Sequence, residues 1–110
     1  MDEALNAGMS EKFKLDIFRI VQEQLNNIIR HAKASLVRIG FFQKETGIVL
    51  TVADNGVGFD MTKNADGIGI LNIKSRIALH KGNADFMSKP GKGCVLTVTF
   101  PIEYFIKEQL

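Results

Sequence analysis

The segment Asp54-Asn55-Gly56-Val57-Gly58-Phe59 cuts off a β-branched run, Ile48-Val49-Leu50-Thr51-Val52, and no other feature constrains the fold as much. A strand that ends on an acid and passes into two close glycines places a carboxylate where a rigid sheet stops. The glycines leave the next backbone free to take positive φ or to press against a neighbouring group. The same residues also spell ordinary hairpin chemistry, since Asp-Asn-Gly is common in turns. Taken alone, the segment supports a turn and a binding site equally.

The rest of the chain supplies the frame. Met1 to Ser10 has no clear period and reads as a loosely held leader. From Glu11 to about Ala34 the pattern is helical, with Ile17, Val21, Leu25 and Ile28 at spacings of four, four and three, and Phe18 and Ile29 beside them. Two strands are expected next, Leu36 to Phe42 and Gly47 to Ala53, joined through Gln43-Lys44-Glu45-Thr46. Val37, Ile39 and Phe41 share one face, as do Ile48, Leu50 and Val52, so both strands can cover one core. Gly56 to Gly69 is a polar, glycine-rich connection. A second helix is expected from about Ile70 to His80, with Ile70, Ile73 and Ile77 inward, stopped at Lys81-Gly82 as a C′ glycine would do. A short strand, Ala84 to Met87, then turns through Lys89-Pro90-Gly91-Lys92-Gly93 into Cys94 to Phe100. Pro101 ends that strand, and residues 102–110 read as a tail or short helix. Helix, hairpin, loop, helix, hairpin is neither a repeat nor a βαβ alternation. It predicts an α+β fold, a two-layer sandwich with helices on one face of a mixed, mostly antiparallel sheet.

Composition excludes several functions. A charge of +2 over 110 residues gives no electrostatic case for nucleic acid or an anionic membrane. The single cysteine, Cys94, excludes an intrachain disulfide and fits a reducing compartment. No apolar run approaches the ~18 residues needed to span a bilayer, and Met1-Asp2-Glu3 lacks a signal peptide's basic region. The expectation is a cytoplasmic domain without membrane contact of its own, with a larger, membrane-anchored parent left open.

Chemistry-bearing residues fall in three places. Glu23, Asn27 and Arg30 lie at i, i+4 and i+7 on one side of the first helix. This is either a solvated face or a pair of hard oxygen donors, Glu23 and Asn27, for a hydrated magnesium ion. Gly67-Ile68-Gly69-Ile70 opens the second helix, where free N–H groups suit a phosphate or merely a flexible entry. Asp54 stands between them. The phosphate loop Gly-x-x-x-x-Gly-Lys-Ser/Thr is absent, as is a GxGxxG turn in a βαβ setting. His31 and His80 are the only histidines and offer no metal spacing with Cys94. His31 reads as a border or cap of the first helix, and His80 as a cation at a helix C-terminus.

In order along the chain, three segments resemble one family. Phe18-Arg19-Ile20-Val21-Gln22-Glu23-Gln24-Leu25-Asn26-Asn27-Ile28-Ile29-Arg30-His31-Ala32 looks like the N box of bacterial sensor histidine kinases. Asp54 to Phe59 looks like the G1 box. Gly67 to Ile70, continuing through Asn72, Arg76 and Ile77 to Pro90-Gly91-Lys92-Gly93, looks like the G2 box and closing hairpin. The joint order resembles the ATP-binding catalytic domain of these kinases, in the short-lid subfamily, within the superfamily of gyrase and heat-shock ATPases (the Bergerat fold). The resemblance covers Phe18 to Pro101.

It implies a set of roles. ATP and Mg2+ would bind, with Asp54 accepting from the adenine amine and Gly56 and Gly58 letting backbone pass beside the purine. Asn27 would ligate magnesium through its side-chain oxygen, and Glu23 would polarise a magnesium-bound water or act as a base. Lys33 would reach a phosphate, and Gly67 and Gly69 would cradle the phosphates. The partners implied are a dimerisation domain carrying the phosphoacceptor histidine, in the same protein, and a downstream response regulator. The sequence departs from the family at Cys94, where a threonine hydroxyl usually helps hold adenine; a thiol is the weaker hydrogen-bonding group. The connection from Asp60 to Asp66 is too short for a long lid, no phosphoacceptor helix precedes the domain, and the family's opening strand is not evident. Two alternatives stay open: a protein-interaction module with weakened nucleotide binding, and a serine kinase of the anti-sigma-factor type.

Overall fold

In a computed structural model, residues 9–45, 47–57, 70–88 and 91–101 are described. Their elements are α1 (Glu11–Asn27), a π-helical turn (Ile28–Ala32), β1 (Val37–Lys44), β2 (Gly47–Asp54), α2 (Ile70–Leu79), β3 (Asn83–Ser88) and β4 (Cys94–Pro101). Two antiparallel hairpins, β1–β2 and β3–β4, join through an antiparallel β2–β4 pairing to give the order β1-β2-β4-β3. All described strands are antiparallel. The helices cover one face of the sheet, as the alternating pattern predicts.

The core lies between these layers. Ile48, Leu50 and Val52 of β2 and Leu96, Val98 and Phe100 of β4 point at Phe13 and Ile20 of α1 and at Ile73 and Ile77 of α2. Each such side chain contributes roughly 1.5–3 kcal/mol when buried. Ile39 has the inward parity of Val37 and Phe41 but stays 52% exposed, because β1 is the outermost strand on its side of the described sheet. The β1–β2 turn is tighter than expected: Lys44 pairs with Gly47, leaving only residues 45 and 46 between the strands.

Three sequence expectations about the helices need correction. First, the chain is held from Met9 onward: Met9 is buried, and Ser10 caps α1 by accepting the Phe13 N–H through Oγ at 3.1 Å. Second, of the expected stripe Ile17, Val21, Leu25 and Ile28, only Ile28 is buried, in the π-helical turn, and α1 itself buries a different line. The most deeply buried residues are Phe13, Asp16, Ile20, Gln24 and Asn27, at spacings of three, four, four and three. Ile17, Val21 and Leu25 are only half-buried beside that line, while Phe18 and Ile29 are exposed. Three inward positions are polar because each meets a polar partner.

Third, His80, expected as a cation at a helix C-terminus, follows α2 but is turned into the core. It is 1% exposed, its Nε2 lies 2.6 Å from Asp16 Oδ2, and its ring sits edge-on to Phe13 with centroids 5.0 Å apart. Phe13 meets Phe100 in the same way, so this cluster ties both helices to β4. The residue with left-handed φ at the end of α2 is Lys81 (φ 57°), not Gly82. The Gly82 N–H reaches back to the Ile77 carbonyl and the Lys81 N–H to that of Ala78, a Schellman closure one residue earlier than expected.

Candidate functional site

The register of the sheet assembles the site. On the helix-facing side, Val37, Asp54, Cys94 and Ser88 stand opposite one another in a row across all four strands. The apolar alternation of β2 ends in this row with Asp54, and that of β4 begins there with Cys94. Above the row lies the C-terminal part of α1, whose Gln24 donates through Nε2 to Cys94 Sγ at 3.9 Å. One turn further on, Asn27 donates through Nδ2 to Gln24 Oε1 at 3.4 Å.

The two oxygens of Asp54 differ: one closes a turn and the other has no partner. Its Oδ1 accepts the Gly56 N–H at 2.8 Å, closing an Asx turn. Its Oδ2 is buried and, among the described residues, is the one buried side-chain oxygen or nitrogen without a hydrogen-bond partner. Asp54 is only 9% exposed, so it is a buried strand-end acid. A buried acceptor left empty costs about 1–3 kcal/mol. A ligand N–H delivered to Oδ2 would remove that cost.

The loop after Asp54 is pinned to the end of the π-helical turn. Ala32 closes that turn, so its carbonyl lacks a partner there; it accepts the Val57 N–H at 2.6 Å. The backbones approach so closely that a Cβ on Gly56 would overlap the Ala32 carbonyl, which explains a glycine at this position. Asn55 holds the other side. Its Oδ1 accepts the N–H groups of Ser35 and Leu36, each at 2.9 Å, and its Nδ2 donates to Ser35 Oγ at 2.8 Å. Gly93 adopts φ 77°, and a side chain there would run into the Asp54 carbonyl.

Cys94 is buried beside Asp54. Burial foremost, and the Asp54 carboxylate after it, push its thiol pKa up to about 11, against the lowering effect of hydrogen bonds with Ser88 and Gln24. It is therefore a neutral S–H group near pH 7, packed against the carboxylate.

The predicted site residues divide as follows. Asp54, Gly56, Cys94 and Asn27 come together, with Asn27 buried and linked to the row through Gln24. Glu23 is half-buried one turn before Asn27 and makes no hydrogen bond to a described residue. Lys33 and Arg30 are exposed; Lys33 ends the π-helical turn with φ 52° and makes no polar contact with the other predicted site residues among those described. Gly58, Gly67 and Gly69, the His31 side chain and residues 102–110 lie outside the described residues. Gln24, Asn55, Ser88 and Gly93 belong to the assembly although sequence reasoning gave them no role there. Only Gln24 left a usable signal, since it shares the inward period of Phe13 and Ile20.

The arrangement fits a purine with a polyphosphate. Asp54 Oδ2 needs an N–H donor such as an exocyclic amine. Asn27 Oδ1 accepts no hydrogen bond from a described residue and is not sealed from solvent, so it can face a hard cation. Among the described residues no three His, Cys, Asp or Glu side chains form a metal cage. A cation here would take most of its ligands from water and phosphate, as magnesium does.

Over 100 residues the chain is 35% identical to the signal transduction histidine-protein kinase/phosphatase DegS of Brevibacillus brevis, covering 86% of this chain and 26% of that protein. It is 38% identical over 102 residues to the sensor histidine kinase LiaS of Bacillus subtilis, covering 92% and 27%. The chain thus spans about a quarter of the length of these curated relatives. Among solved structures, the ATP binding domain of PrrB from Mycobacterium tuberculosis superposes with a TM-score of 0.69 at 22% identity, over 79% of this chain and 67% of that one. At that identity the superposition speaks for the fold alone. No helix among the described residues is long and apolar enough to cross a membrane. Residues 14–104 match the family described as histidine kinase-, DNA gyrase B- and HSP90-like ATPase, and the chain belongs to that family.

Proposed function

We propose that this domain binds ATP with Mg2+ and is the catalytic domain of a sensor histidine kinase. It would donate the γ-phosphoryl group to a histidine on a separate dimerisation domain of the same protein, from which a response regulator then takes it. The observation that carries this reading is the buried, unpartnered Asp54 Oδ2 at the end of β2. The adenine amine supplies the N–H donor that this oxygen lacks, and Gly56 keeps the neighbouring backbone close without a side chain in the way.

The residues divide the work. Asn27 would offer its Oδ1 to the magnesium ion, and Glu23 would orient a metal-bound water. The ion's contribution is to neutralise charge on the transferring phosphates. In the transfer, the bond from γ-phosphorus to the bridging oxygen breaks, a bond to an imidazole nitrogen forms, and ADP leaves. A neutral imidazole attacks through its unprotonated nitrogen, so the protein's task is positioning and charge stabilisation more than base catalysis. Lys33 and, outside the described residues, Gly58, Gly67 and Gly69 would complete the phosphate and purine contacts.

Calorimetric titration with ADP and with ATP, with and without Mg2+, tests the reading. Saturable binding strengthened by Mg2+ is expected, and no binding at millimolar nucleotide would overturn it. The names of the relatives favour a histidine over a serine acceptor.

A further inference from the structure

We propose that Gln24 is a positioning residue that couples the metal end of the nucleotide site to its base end. This rests on the roles proposed above for Asp54 and Asn27. Gln24 is fully buried on the inward line of α1, where an amide in place of an apolar side chain needs a reason. Its reason lies in its two partners. Among the described residues its side chain has these alone: Nε2 donates to Cys94 Sγ and Oε1 accepts from Asn27 Nδ2.

The direction of these bonds carries the inference. An Asn side chain can present either its oxygen or its NH2 group to a ligand, and only the oxygen binds a cation. By accepting from Nδ2, Gln24 occupies the NH2 end and leaves Oδ1 as the atom for the cation. Gln24 itself is held in that orientation because its own NH2 group is engaged by the Cys94 sulfur, which accepts where a donor-only neighbour could not. Cys94 is the cross-strand partner of Asp54. One relay, Cys94 to Gln24 to Asn27, thus runs from the cross-strand neighbour of the base-binding carboxylate to the metal-binding oxygen. Both bonds are long (3.9 Å to sulfur and 3.4 Å between amides), so the relay orients more than it stabilises. Groups that orient a metal ligand in this way typically change metal affinity by about 10- to 100-fold when removed.

The test is the Mg2+ dependence of ADP binding to the full chain, expressed as the ratio of dissociation constants in EDTA and in millimolar MgCl2. Gln24→Met keeps the length and burial of the side chain but removes both hydrogen bonds. We expect its ratio to fall about tenfold, with the EDTA value nearly unchanged. A residue that merely fills space would weaken both values together and leave the ratio intact, and that result would overturn the proposal. Cys94→Val is the second variant, of similar volume and without an acceptor. It should lower the ratio although Cys94 is not a metal ligand in this scheme; an unchanged ratio would count against the relay. If the parent binds no ADP, the functional reading itself fails. If the parent binds ADP with a ratio of one, the metal role of Asn27 fails, and the relay with it.

Discussion

Replacing Asp54 by Asn separates ligand binding from folding. The substitution keeps the shape of the side chain and the oxygen that accepts the Gly56 N–H at 2.8 Å, so the Asx turn survives. It converts the unpartnered buried Oδ2 from an acceptor into an NH2 donor. Against an adenine amine this replaces a charge-assisted hydrogen bond with two donors facing each other. Loss of the bond alone is about 1.5–3 kcal/mol, which is roughly 10- to 150-fold in dissociation constant. Stability of the free protein should stay level or rise, because a buried charge with one unpartnered oxygen has been removed. The assay pairs calorimetric titration of ADP with urea denaturation of the same sample. An Asn variant that binds ADP as tightly as the parent would refute the assignment of Oδ2 to the base. A variant that lost binding and stability together would show Asp54 to be a structural residue first. Asp54→Ala is the harsher change: it also strips the Gly56 N–H of its acceptor, at a cost of about 1–3 kcal/mol in folding.

Other consequences are as direct. Gly56→Ala forces a Cβ onto the Ala32 carbonyl and should destabilise by about 1–3 kcal/mol, measured as a lower denaturation midpoint; unchanged stability would contradict the close approach. His80→Ala leaves the buried Asp16 carboxylate without its hydrogen-bond partner, and a loss of about 1–3 kcal/mol is expected. In a double-mutant cycle with Asp16→Ala, a coupling near zero would dismiss the pair. Cys94→Thr restores a hydroxyl beside Asp54 and should tighten ADP binding, while no change would remove the thiol as a cause of weak affinity. Because the Cys94 pKa is raised on folding, to about 11, its contribution is fully present below the unfolded value of 9.0 and is lost as pH rises toward 11. Urea midpoints over that range should fall more steeply for the parent than for Cys94→Ser.

The two hairpins were legible because alternation of period two names both the strands and the face they bury. Asp54 was legible as well, since an acid followed by two glycines breaks that alternation at one residue. The inward face of α1 was not. A search for apolar periodicity passes over Asp16, Gln24 and Asn27, whose partners His80 and Cys94 lie 64 and 70 residues away from Asp16 and Gln24. The apolar line beside them, Ile17, Val21 and Leu25, has the same period and so took their place. Helix ends were misplaced for a similar reason. Lys81 and Lys33 adopt left-handed φ where a glycine or a continued helix was expected, because closure of the preceding turns sets those angles. Asn55 and Gly93 matter through backbone groups they meet across the fold, and a linear pattern carries no trace of such meetings.

The strand order has a consequence for how the domain is made. Each hairpin closes a short loop, whereas β2 and β4 meet across the forty residues that separate Asp54 from Cys94. Closing the longer loop carries the larger entropic cost, so that seam should zip up late. Substitutions at Val52 and Leu96 should then chiefly speed unfolding, and those inside a hairpin should slow folding more. Asp54 and Cys94 are the last rung of the seam. Nucleotide gripping that rung would act as a clasp on the closing event, so its clearest kinetic mark should be slower unfolding of the bound domain.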